Sequence, residues 1–139
     1  MTGQNKEATD SIADLRDKEK VEPIASFLNM QLLELTPGYS MVKMKLKPEY
    51  QNFHGLTFGG IIMAVADQAF AYACNSIAYP SVASQFNIHF AAGAEAGDEL
   101  TAECRVVRSG RRVGISEITV TNQEGKLIAK ATATSIPTA

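Results

Sequence analysis

Cysteine and histidine are scarce in this chain, with two of each among 139 residues. Cys74 and Cys104 stand alone, without CxxC or Cys/His ligand spacing, which argues against a disulfide framework or a metal centre; no metal site is expected. Neither sign of charge is in excess. Thirteen basic against fifteen acidic residues leave a formal charge of −2, with no overall electrostatic footprint for nucleic acid or an anionic membrane. The one long apolar segment, Gly60 to Ala78, is broken by Asp67, Gln68, Asn75 and Ser76, and an aspartate at mid-span argues against a transmembrane helix. The first twenty residues are mostly polar and lack the apolar core of a secretory signal, so a cytoplasmic protein is expected. A Ser-His-Asp order, a nucleophile elbow, a P-loop and a dinucleotide fingerprint are all missing as well.

What remains is a chain of one domain's length, 45% hydrophobic and 20% charged, the balance of a globular protein with a sizeable core. The polar stretch from about Thr9 to Leu28 reads as helical, with Ile12, Leu15 and Val21 as sparse apolar positions and Pro23 suited to the first turn of a second short helix. We therefore divide the chain into an N-terminal polar, helical segment (1–28) and a main domain (29–136). Strands are expected at Met30 to Leu35 and Ser40 to Lys47, joined by the turn Thr36-Pro37-Gly38-Tyr39. In the second, Val42, Met44 and Leu46 alternate with Lys43, Lys45 and Lys47, giving one buried and one wet face. The apolar segment that follows Gly59-Gly60 is apolar around nearly the whole helical wheel, the pattern of a buried central helix. Four further strands follow at Val82–Phe90, Asp98–Arg108, Val113–Thr121 and Lys126–Ser135, with loop chemistry suited to antiparallel connections. Two strands, a long buried helix and four more strands imply an α+β protein, an antiparallel sheet wrapped around that helix.

Asp67 is the most informative residue. A carboxylate inside a helix suited to burial is costly unless it is paired or reaches a cavity, so it either holds a neighbouring loop or does chemistry. Its natural companion is the helix start, where Gly59 and Gly60 offer backbone N–H groups able to hold an oxyanion and no side chain to block a ligand carbonyl. A Gly-Gly pair is also an ordinary turn. Eight residues separate Gly59 from Asp67, a rise of about 12 Å, so one chain cannot easily bring both to one reacting group. A two-fold dimer in which one subunit's helix start faces the other's Asp67 is the simplest solution. Asn52 and His54 lie in the preceding loop, as turn formers or as substrate contacts. Arg108, Arg111 and Arg112 flank the Ser109-Gly110 turn, either as a solvated hairpin tip or as a phosphate-binding one.

The segment Asn52-Phe53-His54-Gly55-Leu56-Thr57-Phe58-Gly59-Gly60, the helix carrying Asp67, and Ala69-Phe70-Ala71-Tyr72-Ala73-Cys74-Asn75-Ser76 together resemble the hotdog-fold acyl-CoA thioesterases. Within them the resemblance is to the phenylacetic-acid-degradation group. Asn87-Ile88-His89-Phe90, Ala96-Gly97-Asp98-Glu99-Leu100-Thr101-Ala102 and Ser109-Gly110-Arg111-Arg112 extend it over about Leu28 to Ser135. The resemblance implies a hotdog fold and hydrolysis of an acyl-CoA thioester, without a cofactor beyond the CoA of the substrate. It places the nucleophile or general base on Asp67 and the oxyanion donor on the Gly59 N–H, assisted by Asn52. His54, Phe58, Gly60, Ser84, Arg108, Arg111 and Arg112 become substrate-binding candidates. It also implies a homodimer or a dimer of dimers. The family usually has histidine where this chain has Phe58, and the Ser or Thr that positions water in some relatives falls near Ala83 or Ser84. Two other readings are a hotdog dehydratase, for which His54 is the only plausibly placed histidine, and a non-catalytic acyl-CoA or lipid-binding module.

Overall fold

The computed structural model describes residues 3–138, with side chains from Ser11 onward. Two helices, α1 (Gly3–Lys20) and α2 (Pro23–Phe27), precede β1 (Met30–Thr36) and β2 (Tyr39–Lys45). A 3-10 turn at Pro48–Tyr50 and an irregular loop lead into α3 (Gly59–Asn75). Then come β3 (Ser81–Phe90), β4 (Glu99–Ser109), β5 (Gly114–Thr121) and β6 (Leu127–Pro137). Each expected strand is present within one or two residues of its expected limits. The helical stretch at the N-terminus is broken at Val21–Glu22, where Pro23 opens α2 at its first turn and fits because that position has no intrahelical donor to lose.

The six strands form one antiparallel sheet in the order β1-β2-β4-β5-β6-β3. α3 lies in its concavity. Val65, Ala66, Ala69, Phe70 and Ala73 are buried against Val42, Met44, Leu100, Cys104, Ile118, Val120 and Ile128. The alanines let helix and sheet approach closely, and Phe70 meets Phe86 of β3 edge to face, ring centroids 6.0 Å apart. Each fully buried Val, Leu, Ile or Phe here contributes about 1.5–3 kcal/mol of transfer free energy. Ser40 Oγ donates to the Ala69 carbonyl and pins the helix to β2. This is the hotdog arrangement.

The two rims of the sheet differ. Along β1, the Leu32 N–H is taken by Glu19 Oε1 of α1 at 3.2 Å. β3, ten residues long, pairs only with β6, and most of its residues are exposed. The helix also departs from its all-round apolar pattern. Gly60 and Asp67 are exposed and Ala64 and Ala71 half-buried, so one stripe of α3 faces outward, uncovered by the chain itself.

Candidate active site

The loop before α3 has no hydrophobic period because side chains, not periodicity, organise it. Asn52 Oδ1 accepts from the backbone N–H groups of His54 (2.9 Å) and Leu56 (3.2 Å), while Asn52 N donates to the Leu56 carbonyl at 2.7 Å. Gln51 and Thr57 form an isolated antiparallel bridge, and the Phe58 N–H donates to the Tyr50 carbonyl at 2.8 Å. The asparagine oxygen is thus engaged in shaping the turn, and its amide nitrogen has no hydrogen-bond partner among the described residues. Gly55, at φ +83°, occupies the left-handed region that its lack of a side chain makes accessible. His54 is exposed at the loop tip, its ring 4.2 Å from that of Phe53, which is 93% exposed.

Phe58 caps α3 with extended backbone and no side-chain hydrogen bond, so nothing among the described residues accepts from the Gly59 or Gly60 N–H. Both donors point along the helix axis, where the aligned peptide dipoles favour negative charge. Two aromatic rings frame them. A Cβ on Gly59 would come within 3.3 Å of the Phe90 ring at the end of β3, and one on Gly60 within 2.7 Å of the Phe58 ring. The glycines leave the room those rings occupy, and Phe58 and Phe90 are themselves 58% and 51% exposed.

Asp67 stands on the uncovered stripe, two turns further on. No hydrogen bond or ion pair reaches its carboxylate among the described residues, and desolvation by the surrounding protein pushes its pKa upward. The loop-holding role allowed for it in the sequence has no bond to carry it here. Immediately beside it, Gln68 is buried and donates to Glu22 Oε1, and Glu22 Oε2 accepts from the Tyr72 hydroxyl at 3.2 Å. Burial and the Glu22 charge push the Tyr72 hydroxyl pKa upward. Sequence reasoning missed this cluster. Gln68 and Tyr72 are four apart on one helix face, and two polar groups buried on one face need a partner; that signal was available. It also missed Phe90, which only the fold brings to Gly59.

The remaining candidates are dispersed. Ser84 is the unpaired residue of a β-bulge between Ala83 and Gln85, and its Oγ donates to the Thr134 carbonyl at 3.3 Å; Ala83 is paired with buried Ser135. Arg108, Arg111 and Arg112 are exposed at the β4–β5 tip, and none has a carboxylate partner among the described residues. That tip adjoins the far end of α3, since Ser109 and Gly110 line one small recess with Cys74, Ile77 and Ala78. Within one chain the arginines therefore lie at the opposite end of the helix from Gly59, which at about 1.5 Å per residue is roughly 24 Å away. Among the described residues, no three His, Cys, Asp or Glu side chains gather to hold a metal ion.

Residues 54–129, spanning the glycine pair, Asp67, strands β3 to β5 and the start of β6, match the family model described as the thioesterase superfamily. The chain belongs to the thioesterase superfamily. Its relatives include the acyl-coenzyme A thioesterase PaaI of Escherichia coli (strain K12), 36% identical over 105 residues that make up 76% of this chain and 75% of that protein. Among solved structures, this thioesterase-superfamily chain superposes on the E. coli PaaI protein from the phenylacetic acid degradation operon with a TM-score of 0.88. That match is 30% identical and covers 95% of this chain and 94% of the other. A Streptococcus mutans UA159 structure bound to acetyl CoA matches with a TM-score of 0.80 at 28% identity, over 86% of this chain and 96% of that one. The chain is a thioester hydrolase by family, and the sheet and helix of the fold are shared with these proteins.

Proposed function

We propose that the protein hydrolyses an acyl-CoA thioester to a free acid and CoA, with Asp67 as base or nucleophile and the Gly59 N–H as oxyanion donor. The observation that carries this is the unpartnered Asp67 carboxylate on the open stripe of an otherwise apolar helix whose first N–H groups are also unclaimed. The PaaI name and the acetyl CoA of the S. mutans structure support the substrate class. In the reaction, Asp67 either removes a proton from the attacking water or attacks the carbonyl to form an anhydride that water then opens. Negative charge gathers on the carbonyl oxygen, where a preorganised backbone N–H stabilises it most. The CoA sulfur leaves with the electron pair of the broken C–S bond and takes up a proton.

The site is shared between two subunits in this reading. β3 is the free edge of the sheet, and antiparallel pairing with its own copy about a two-fold axis sets the Phe90 end of one strand beside the Ser81 end of the other. Gly59, which abuts Phe90, then comes to the partner's helix stripe, and the partner's arginine tip comes to the Gly59 side. Asn52 Nδ2 assists at the carbonyl, while His54, Phe58, Gly60 and Ser84 line the approach. Arg108, Arg111 and Arg112 meet CoA phosphates, to which guanidinium groups are suited in charge and shape. Pairs of such dimers complete the assembly. A cytoplasmic setting belongs to the same reading, in keeping with the free, buried thiols of Cys74 and Cys104.

One observation favours a second reading. The Phe58 ring lies against Gly60 where relatives of the resemblance carry histidine, which suits a module that binds acyl-CoA without cleaving it. Turnover separates the two. Short, medium, long and aromatic acyl-CoAs assayed for free thiol should include at least one that is hydrolysed catalytically; tight binding with no thiol released from any would leave only the module.

A further inference from the structure

One turn past Asp67, α3 borders a groove that the mechanism does not use. It has a volume of about 260 Å³ and runs between the N-terminal arm, which supplies Leu15, Lys18 and Glu22, and Ala71, Tyr72 and Asn75 of α3. Tyr79, Pro80 and Ser81 close its end. Asp67, Ala71 and Asn75 are spaced by four residues, so they share a helix face, and Ala71 is only about 6 Å along the axis from Asp67.

Apart from the Tyr79 hydroxyl, the side-chain polar groups of this groove are already engaged with protein. Asn75 Nδ2 donates to the Ala71 carbonyl (2.8 Å) and the Ser81 carbonyl (3.2 Å), and its Oδ1 accepts from the Ser81 N–H (2.8 Å). Both Glu22 oxygens are taken, by Gln68 and Tyr72, and Lys18 is paired with Asp14 at 2.7 Å. What is left for an occupant is the apolar surface of Leu15, Ala71 and Pro80 and the rings of Tyr72 and Tyr79. Tyr72, only 5% exposed, cannot swing aside while Glu22 holds its hydroxyl. The volume lies below the roughly 300–1,000 Å³ of pockets that take drug-sized ligands, so a short acyl group fills the groove.

We infer that this groove receives the acyl end of the thioester, and that Tyr72, held by Glu22 of the N-terminal arm, is the wall that limits acyl length. The inference rests on the acyl-CoA reading above and deepens it by assigning chain-length selection to an arm outside the sheet. Tyr72 and Glu22 are specificity residues, with no part in the chemical step.

Two variants and two readouts test it. Ala71→Leu fills the groove one turn from Asp67, and Tyr72→Phe releases the wall from Glu22 while keeping the ring. For each, kcat/KM is measured on acetyl-, butyryl-, hexanoyl- and octanoyl-CoA, and binding is measured by calorimetry with the non-hydrolysable methyl- and hexyl-CoA thioethers. Ala71→Leu should lower kcat/KM for hexanoyl-CoA about tenfold relative to acetyl-CoA, the scale on which one or two methylenes are discriminated in an apolar pocket. Tyr72→Phe should shift the optimum toward longer chains, raising the octanoyl-to-butyryl ratio about fivefold. The thioethers should follow the same order. If the wild type releases no thiol from any ester yet Ala71→Leu still weakens hexyl- more than methyl-thioether binding, hydrolysis is lost as the function and the groove stands. If both folded variants, judged by unchanged melting, shift all lengths equally or none, the groove assignment is overturned.

Discussion

Gly59 and Asp67 sit on one helix eight positions and about 12 Å apart, and each faces a space that its own chain leaves unfilled. A thioester carbon needs a nucleophile and an oxyanion donor each about 3 Å away. The separation therefore predicts complementation. Gly59→Pro removes the donor at a helix position that tolerates proline, after a residue whose φ −57° and ψ 131° suit a following proline. Gly59→Pro and Asp67→Asn should each be inactive, yet mixed dimers of the two should recover about a quarter of wild-type activity, since half the dimers carry one intact site of two. A site built within one chain yields no recovery.

Asp67→Asn keeps the size of the side chain and removes its charge. Since no partner holds the carboxylate, melting temperature should stay level or rise while kcat falls about 10²–10⁴-fold. Calorimetry and thiol release on one preparation decide it, because a residue holding a loop would lose stability and activity together.

The raised Asp67 pKa gives the pH dependence a sign. A base or nucleophile works unprotonated, so kcat/KM should fall as pH drops through a value above the ordinary 3.8, and Asp67→Asn should lack that limb. Between 3.8 and the raised value the folded chain holds a proton that the unfolded chain has lost. Stability should thus decline as pH rises through this window, and the Asn variant should show a flatter slope when both are melted across it.

Removing charge at the β4–β5 tip tests the phosphate contact. Arg111→Ala combined with Arg112→Ala should raise KM for acyl-CoA about three- to tenfold with kcat nearly unchanged, and the ratio should shrink in high salt. An unaltered KM in the folded variant would return these arginines to a solvated tip.

Asn52 has two functional ends, and Asn52→Asp separates them. The retained oxygen should keep the turn made with His54 and Leu56, leaving melting nearly unchanged, while loss of the unpartnered amide should lower kcat about tenfold. Asn52→Ala should in addition destabilise the fold by about 1–2 kcal/mol through two lost acceptor contacts.

Much of the fold was legible in the sequence because side-chain alternation and helical period report which face of an element is buried. Val42 and Met44 announced their strand, and Asp67 announced itself by interrupting an apolar helix. Periodicity does not report partners. It gave no sign that β3 closes the sheet beside β6 rather than beside β2, nor that Glu22 reaches Gln68 and Tyr72 nearly fifty residues away. The wheel of α3 read as apolar all round because alanines and glycine count as apolar; the stripe through Gly60, Ala64, Asp67 and Ala71 is left open by the reach of the sheet, which local sequence does not encode. The loop from Gln51 to Phe58 was opaque for a related reason, since its order comes from one asparagine oxygen gathering two backbone donors.

The unequal rims of the sheet bear on how far the protein can assemble. With the Leu32 donor of β1 already satisfied by Glu19, strand addition at that rim would first have to break a charge-assisted hydrogen bond, whereas β3 offers a full row of peptide groups. Extension is thus directional. In the proposed dimer, joined through β3 about a two-fold axis, each copy consumes the other's more open rim, and the continuous sheet ends on both sides in β1 strands. The same ten residues that would invite fibre growth in a symmetric sheet become a self-terminating joint.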